Sequence, residues 1–216
     1  MIAPYYQDDH VTLYHGDCRE VTEWLSGDVM VTDPPYGMAY VGNFGREATK
    51  RIAGDNDTAL RDAALDAWGD RPALVFGIWR CPRPTRTRHL LVWDKGAIPG
   101  NGDLSIPWGN SAEEVYVIGH GFAGKRRSNV IRCDRLSATS AERPDHPTPK
   151  PLGVMRSLIE YCPPGIIVDP FAGSGSTLRA AKDLGRKAIG VELDERYCEI
   201  AAERLRQEVL DFGGVA

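Results

Sequence analysis

Short apolar stretches that end in turn residues alternate with longer amphipathic stretches along this chain. The apolar stretches are typical of β-strands, because each is short, rich in β-branched residues and bounded by Gly, Pro or Asp. They begin at Val11, Asp28, Pro72, His89, Glu113, Gly165 and Lys187, and the helix-length stretches are 58–68, 151–161, 176–184 and 194–209. Strands that alternate with helices predict a mostly parallel sheet covered on both faces, which is the doubly wound, Rossmann-like form of the α/β class.

One segment breaks this alternation. Residues 128–145 show neither a clear strand nor a helical apolar stripe, and they directly follow the basic run Lys125, Arg126 and Arg127. We therefore expect a short insertion at 119–145 within a single domain that spans 1–216.

The composition is that of an ordinary globular protein. Of the 216 residues, 42% are hydrophobic and 26% are charged, which suits one substantial core. The chain contains no apolar run of about 18 residues that could span a membrane. Its first residues lack the basic and then apolar pattern of a secretory signal, so we expect a cytoplasmic protein.

Cysteine usage and net charge limit which kinds of binding site and partner we expect. The five cysteines are far apart, with no C-x-x-C pair or histidine cluster of metal-site spacing, so we expect reduced thiols and no metal site. The net charge of -4 does not by itself indicate a nucleic-acid partner. Phosphate binding needs a local basic surface rather than a basic total, so local clusters matter more.

The stretch 166–194 combines a buried strand, a glycine turn, a helix start and a second strand that ends in an acid. Gly173 and Gly175 would let the backbone approach a ligand, and the helix N-terminus favours a negatively charged group. Glu192, about 20 positions beyond the turn, suits hydrogen bonding to ribose hydroxyls. A P-loop is absent, and Leu178 stands where a dinucleotide fingerprint has its third glycine. We predict a nucleoside-bearing ligand with one carboxylate rather than a pyrophosphate.

A second unusual turn, Asp33-Pro34-Pro35-Tyr36, follows the strand that starts near Asp28. Alone it can be a simple turn, because proline stops a strand ladder wherever it falls. Ligand sites in doubly wound sheets lie at the carboxyl ends of the strands, where Asp17, Asp33, Asp169 and Glu192 all fall. We expect these four acids to converge on one crevice.

Four motifs together resemble the DNA amino-methyltransferases, which methylate exocyclic nitrogens of DNA bases with S-adenosyl-L-methionine. They are Gly16-Asp-Cys18, Asp33-Pro-Pro-Tyr36, His146-Pro-Thr-Pro-Lys-Pro151 and Asp169-Pro-Phe-Ala-Gly-Ser-Gly-Ser-Thr177. Their order resembles the circularly permuted beta class of that family, and the resemblance covers most of the chain. After the strand ending at Glu192 only one helix remains, so the sheet must also recruit strands from the N-terminal side of the glycine turn.

The resemblance implies a position for each part of the cofactor. Asp17 and Cys18 would border the adenine, Glu192 would hold the ribose, and Phe171 to Thr177, including Gly173, Ser174, Gly175 and Ser176, would surround the methionine part. His146, Thr148 and Lys150 would close its carboxylate end. Asp33 and Asp169 are also expected in the cofactor site. A solvated lysine at a helix start is an equally weighted alternative for Lys150.

The Asp-Pro-Pro-Tyr turn then has a chemical purpose. An exocyclic amine is a poor nucleophile because its lone pair is delocalised into the ring. The Asp33 carboxylate can accept one N–H and the Pro34 carbonyl the other, while Pro35 stiffens the turn and Tyr36 stacks on the base. An ordinary Asp pKa of about 4 suffices, since the proton becomes acidic once the nitrogen is methylated. The target base must be flipped out or presented single-stranded.

Basic residues outside the cofactor motifs are the expected DNA contacts. They are Arg46, Lys50 and Arg51 in a predicted closing loop at 37–57, and Lys125, Arg126, Arg127, Arg132 and Arg135 in the insertion. The insertion is short for a specific DNA reader, which is consistent with a short or degenerate target site or with a partner subunit, such as a homodimer.

The product predicted from the resemblance is N6-methyladenine, as expected of a DNA methylation or restriction–modification enzyme. Asp at position 33 is commoner among adenine enzymes, whereas cytosine enzymes commonly have Ser, so N4-methylcytosine is the alternative. Enzymes that methylate RNA or protein glutamine more often have Asn there. A non-catalytic DNA- or cofactor-binding protein would leave the intact Asp33-Pro-Pro-Tyr36 turn without a purpose.

Overall fold

The computed structural model describes residues 2–36, 41–42, 50–51, 57–96, 105–134 and 149–207. The strands are β1 (Tyr6–Gln7), β2 (Val11–His15), β3 (Val29–Thr32), β4 (Val41–Gly42), β5 (Lys50–Arg51), β6 (Ala73–Gly77), β7 (His89–Asp94), β8 (Ala112–Ile118), β9 (Val130–Arg132), β10 (Ile167–Asp169) and β11 (Ala188–Glu192). The helices are α1 (Ala59–Trp68), α2 (Leu152–Ile159), α3 (Ser176–Asp183) and α4 (Glu195–Arg206). Each strand and helix predicted from the apolar pattern is present.

A nine-stranded sheet forms the centre of the molecule, in the order β1-β2-β11-β10-β3-β6-β8-β7-β9. The adjacent strands β2, β11, β10, β3 and β6 run parallel. At one side β1 is antiparallel to β2, and at the other β8 is antiparallel to both β6 and β7. The prediction of a doubly wound, mostly parallel α/β sheet is confirmed. The strand before the glycine turn, β10, lies between β11 and the N-terminal strand β3, as the permuted order requires.

The sequence-based prediction that residues 128–145 contain no strand was wrong. Within them β9 pairs parallel with β7, with Val92 opposite Val130 and Asp94 opposite Arg132. Three residues are too few to show an alternating pattern, and only Ile131 of β9 is buried. Residues 135–145 of the predicted insertion lie outside the described residues. The hairpin of β4 and β5 occupies part of the stretch predicted as a loop at 37–57.

Apolar residues cover both faces of the sheet because side chains alternate between faces along a strand. Val29 and Val31 of β3 face a core completed by α2, α3 and α4. Met30, between them, faces the opposite core with Trp24 and Trp68, whose stacked rings have centroids 5.8 Å apart. In the part of the chain that the structure describes, no helix is both long and apolar enough to cross a membrane.

The two ends of the sheet carry different side chains. The carboxyl edge is the end where β2, β11, β10, β3 and β6 finish, and the amino edge is the opposite end. Since β7 runs parallel to β6 and β8 antiparallel to it, the last residues of β7 and the first of β8 also lie at the carboxyl edge. Strand direction therefore decides which polar residues share this edge.

Candidate active site

The four acids expected to converge all lie at the carboxyl edge. Asp33 directly follows β3, Asp169 and Glu192 are the last residues of β10 and β11, and Asp17 follows β2. The Thr32 hydroxyl donates to Asp169 Oδ1 over 2.6 Å, which ties the end of β3 to the end of β10. The sheet thus places the Asp33 turn directly beside the glycine turn.

The glycine turn requires backbone that other residues adopt at a cost. Gly173 and Gly175 have φ values of 50° and 77°, in the left-handed region. α3 begins immediately after Gly175, so the N–H groups of its first turn, which an α-helix leaves without partners in the helix, adjoin the glycine turn. The Glu192 carboxylate accepts hydrogen bonds from Gly173 N at 2.7 Å and Asp194 N at 2.8 Å, which fixes it against the turn. Burial raises the pKa of Glu192 above its ordinary value.

Asp169 supports the turn from beneath. It is buried, and its Oδ1 accepts from Phe171 N at 3.1 Å as well as from Thr32. Burial raises its pKa to about 6, against opposing hydrogen bonds from Thr177 and Thr32. Ser174, Ser176 and Thr177 are buried too. These residues hold the shape of the turn.

At the end of β2, Asp17 and Cys18 have different surroundings. Asp17 forms an ion pair with the exposed Arg19, whose Nη2 lies 2.5 Å from Oδ2. Hydrogen bonding from Arg19 lowers the pKa of Asp17. Cys18 packs in the core with Trp24, and its carbonyl accepts from Trp24 Nε1 at 2.9 Å. Burial raises the pKa of the Cys18 thiol to about 12.

Both carboxylate oxygens of Asp33 are bound. Tyr36 Oη donates to Oδ1 and Lys150 Nζ to Oδ2, each over 2.5 Å. The thiol of Cys81 donates to the Tyr36 carbonyl over 2.8 Å, which anchors the end of the turn. Lys150 was expected either to close the carboxylate end of the cofactor or to be solvated. In the structure it is buried, at 6% exposure, and pairs with Asp33.

Two further charged residues join this cluster that sequence reasoning missed. Glu113, in β8, has its Oε2 3.2 Å from Lys150 Nζ, and its Oε1 lies 2.5 Å from the Nζ of Lys95. In the sequence, Glu113 appears only as an acid at the start of one apolar stretch, and Lys95 only as a lysine just after another apolar stretch. Neither marks a site unless β8 is known to run antiparallel, which brings Glu113 to the carboxyl edge.

Burial and charge act in opposite directions on these groups. Burial raises the pKa of Asp33 above its ordinary value, although Lys150 opposes the rise. Burial alone would raise the pKa of Glu113 too, but the charges of Lys150 and Lys95 hold it below its ordinary value. Burial and the charge of Asp33 raise the pKa of Tyr36 well above 10.0, so the phenol stays a hydrogen-bond donor.

The structure does not bring the basic run Lys125–Arg127 to this site. The run follows β8, which ends at the amino edge, opposite Asp33. There Arg127 donates to the Ser157 carbonyl over 2.7 Å and lies 4.2 Å above the Tyr161 ring. Among the described basic residues of the insertion, Arg132, at the end of β9, lies toward the carboxyl edge, 3.7 Å from Asp94.

Several predicted site residues are not described. Arg46, Arg135, His146 and Thr148 lie outside the described residues, while Lys50 and Arg51 form β5. No group of His, Cys, Asp and Glu suited to a metal ion occurs among the residues that the structure describes.

The doubly wound sheet, with a glycine turn and an Asp-Pro-Pro-Tyr turn side by side at its carboxyl edge, defines the class of Rossmann-like methyltransferases. The chain belongs to the N6/N4 DNA methylase family, whose sequence model, described as DNA methylase, matches residues 78–203. It is 42% identical to the type II methyltransferase M2.LlaDCHI of Lactococcus lactis subsp. cremoris, over 96% of this chain and 93% of that protein. It is 26% identical to M.ScaI of Streptomyces caespitosus, over 95% of this chain and 84% of that one.

Solved structures share the fold. The crystal structure of the M1.HpyAVI–SAM complex superposes with a TM-score of 0.66 at 23% identity, covering 91% of this chain and all of that one (100%). The cytosine-N4-specific PvuII DNA methyltransferase also gives a TM-score of 0.66, at 15% identity over 96% of this chain and 90% of its own. The fold of this chain is therefore the fold of these solved methyltransferases.

Proposed function

We propose that this DNA methyltransferase transfers a methyl group from S-adenosyl-L-methionine to the N6 amine of adenine. The observation that carries the proposal is the Asp33-Pro-Pro-Tyr36 turn lying beside the glycine turn at the carboxyl edge. One turn offers acceptors for an amine, and the other offers N–H groups and close backbone approach for a cofactor. Family membership and the SAM complex of M1.HpyAVI support the choice of methyl donor.

The residues of the glycine turn fit this cofactor. The left-handed backbone of Gly173 and Gly175 and the start of α3 suit the methionine part and its carboxylate. Glu192, at the end of β11, suits the ribose hydroxyls, and Asp17 suits the adenine side. When bound, S-adenosylmethionine supplies an electrophilic methyl group on a sulfonium.

The Asp33 turn prepares the amine. The Asp33 carboxylate accepts one N–H of the base and the Pro34 carbonyl accepts the other, so the nitrogen lone pair is directed out of the ring. Pro35 limits the motion of the backbone that carries these acceptors. The methylated nitrogen is cationic and loses its extra proton to Asp33, which must therefore be ionised before the reaction. Lys150, 2.5 Å from Oδ2, favours that ionised form.

The base must leave the duplex or be single-stranded to reach Asp33. Tyr36, packed against the core beside Asp33, is the proposed stacking partner of the base. Adenine is favoured over cytosine by the carboxylate at position 33, which accepts a stronger hydrogen bond than the serine hydroxyl of many cytosine enzymes. N4-methylcytosine remains the second candidate because both bases present an amine beside a ring nitrogen.

The experiment that tests this function incubates the protein with unmethylated DNA and S-adenosylmethionine, then digests the DNA to nucleosides for mass spectrometry. We expect N6-methyladenine from the unaltered protein. We expect no methylated base from Asp33→Ala, because the amine loses its acceptor. Calorimetry should show that Asp33→Ala still binds S-adenosylmethionine, since the glycine turn is intact.

The possible outcomes separate the parts of the proposal. N4-methylcytosine without N6-methyladenine would replace the product and keep the site. Loss of cofactor binding in a folded Asp33→Ala protein would instead assign Asp33 to the cofactor. Methyl transfer to RNA or protein, but not to DNA, would contradict the proposed substrate.

A further inference from the structure

Four charged side chains of alternating sign form a row at the carboxyl edge: Asp33, Lys150, Glu113 and Lys95. The Nζ of Lys150 lies 2.5 Å from Asp33 Oδ2 and 3.2 Å from Glu113 Oε2. Lys95 Nζ lies 2.5 Å from the other oxygen of Glu113. The exposed fraction of these side chains is between 7% and 25%. The charges of this row cancel, so the row is neutral.

Glu113 contacts Asp33 mainly through Lys150, which lies between the two carboxylates. Each of its oxygens faces a lysine, and Lys150 separates it from Asp33. The Tyr36 hydroxyl is 3.5 Å from Glu113 Oε2, a much weaker contact than its 2.5 Å bond to Asp33. Glu113 can therefore influence Asp33 in two ways, through its own charge and through the position of Lys150.

Removing Glu113 would unbalance the row in a specific way. Lys150 would be left with Asp33 as its carboxylate partner and would bind it more tightly. The row would also carry one excess positive charge, next to an amine that becomes cationic as it is methylated. Charges in a partly buried site interact strongly, because water screens them less than at the surface. Both effects oppose methyl transfer.

We propose that Glu113, held in turn by Lys95, is a positioning residue for methyl transfer: it shares Lys150 with Asp33, so that Asp33 keeps its capacity to accept the target amine. This inference rests on the proposed function. The same row explains why a lysine is tolerated against a carboxylate that must also bind substrate, since the second carboxylate balances its charge.

Two variants test the proposal through the dependence of kcat on pH. The groups facing Asp33 are Lys150, Tyr36, Glu113 and Asp169, with Lys95 behind Glu113. Glu113→Gln removes a negative charge and releases Lys150 to Asp33, so the pKa of Asp33 falls and the acidic limb moves to lower pH. Lys95→Gln removes a positive charge and lets Glu113 draw Lys150 away, so that limb moves to higher pH.

We expect Glu113→Gln to lower kcat by roughly tenfold to a hundredfold, as misplacement of a catalytic group does. Its affinity for S-adenosylmethionine should be unchanged. The matched control is Glu114→Gln, the next residue of β8, whose partners are Arg83 at 2.6 Å and Tyr116 at 2.7 Å. This control should keep the kcat and the pH profile of the unaltered protein.

Limb shifts of the same sign in Glu113→Gln and Lys95→Gln, or no shift in either, would overturn the proposal. Loss of cofactor binding together with kcat in Glu113→Gln would also overturn it, because Glu113 would then support the fold rather than Asp33. Absence of methyl transfer by the unaltered protein would count against the proposed function instead.

Discussion

The position of Lys150 in the structure differs from both interpretations of it drawn from the sequence. From the sequence, a lysine before a helix was either a cofactor contact or a solvated side chain. The structure buries it between Asp33 and Glu113, with its Nζ also 5.0 Å from the centre of the Phe76 ring. Neither carboxylate is near Lys150 in the sequence, so local pattern could not predict this contact.

Replacing Lys150 with Met should lower the free energy of unfolding of the protein as well as its rate of methyl transfer. Asp33 would lose its cation while Glu113 kept Lys95, and breaking a buried ion pair costs about 3 to 5 kcal/mol. Asp33 is partly exposed, so we expect the lower part of that range in urea unfolding at neutral pH. The control is Lys182→Met, which breaks the pair with Asp8: 21% of the Lys182 side chain is exposed against 7% of Lys150, so we expect a smaller loss.

The sign of the pH dependence follows from the pKa shift of Lys150. Burial alone would lower that pKa, but Asp33 and Glu113 raise it above 10.5. As long as the two carboxylates are ionised, the stabilisation is therefore complete below the pKa of the lysine in the unfolded chain, and it is lost as the pH rises through the higher folded value. In Lys150→Met the deficit should shrink at acidic pH, where the carboxylates take up protons. A deficit that is the same at acidic and neutral pH would contradict this account.

At the scale of elements, the glycine turn is also a packing joint between α3 and α4. A Cβ placed on Gly175 would lie 3.0 Å from the Cβ of Ala201 in α4. The turn therefore brings the start of α3 so close to α4 that a side chain at position 175 would require Ala201 to shift. This role is separate from any contact of the turn with a ligand.

Gly175→Ala should cost more stability than Gly185→Ala. Both glycines have left-handed φ values, 77° and 66°, so both substitutions carry about 1 kcal/mol of backbone strain. A Cβ on Gly185 would meet nothing within 4 Å, whereas one on Gly175 would press on α4. Thermal unfolding of the two variants isolates the packing contribution. Equal losses would show that α4 can move away without cost.

The elements differ in how well the sequence predicted them. Strands and helices with long apolar patterns, such as α4 with its Asp194 cap, were found because their signals are local. The direction of β8 was not found, because it is fixed by pairing with β6 and β7 rather than by its own residues. The same limit hid Glu113, whose site role depends entirely on that direction. β9 was too short to give a pattern.

At the scale of the whole molecule, the carboxyl edge leaves two tryptophans open to solvent. Trp79 follows β6 and Trp108 precedes β8, with 71% and 77% of their surface exposed. The Arg80 guanidinium lies 5.1 Å from the Trp79 ring centre. In the proposed function a base reaches Asp33, which would bring the nucleic acid against this edge, where exposed aromatic rings and arginine suit it. The predicted DNA run Lys125–Arg127 lies at the amino edge.

DNA should therefore shield these tryptophans. Trp24, Trp68 and Trp93 are buried, so iodide quenching of the intrinsic fluorescence reports mainly on Trp79 and Trp108. We expect DNA to reduce quenching, and the double variant Trp79→Ala with Trp108→Ala to weaken DNA binding. Ala at Lys125 and Arg126 should leave binding and its salt dependence nearly unchanged. If the Lys125 and Arg126 variant weakened DNA binding and the tryptophan variant did not, the DNA would lie on the amino edge. The homodimer is a separate prediction.

Two strands from the C-terminal half of the chain, β11 and β10, lie between the N-terminal strands β2 and β3 in the sheet. Val11 of β2 pairs with Ala188 of β11, and Val29 of β3 pairs with Ile167 of β10. A ribosome releases β2 and β3 long before β11 and β10 are synthesised. The edge of β2 that pairs with β11 and the edge of β3 that pairs with β10 therefore stay unpaired during this time. Such distant pairing makes folding slow. The glycine turn and the Asp33 turn therefore lie side by side only after β10 and β11 have left the ribosome and joined the sheet.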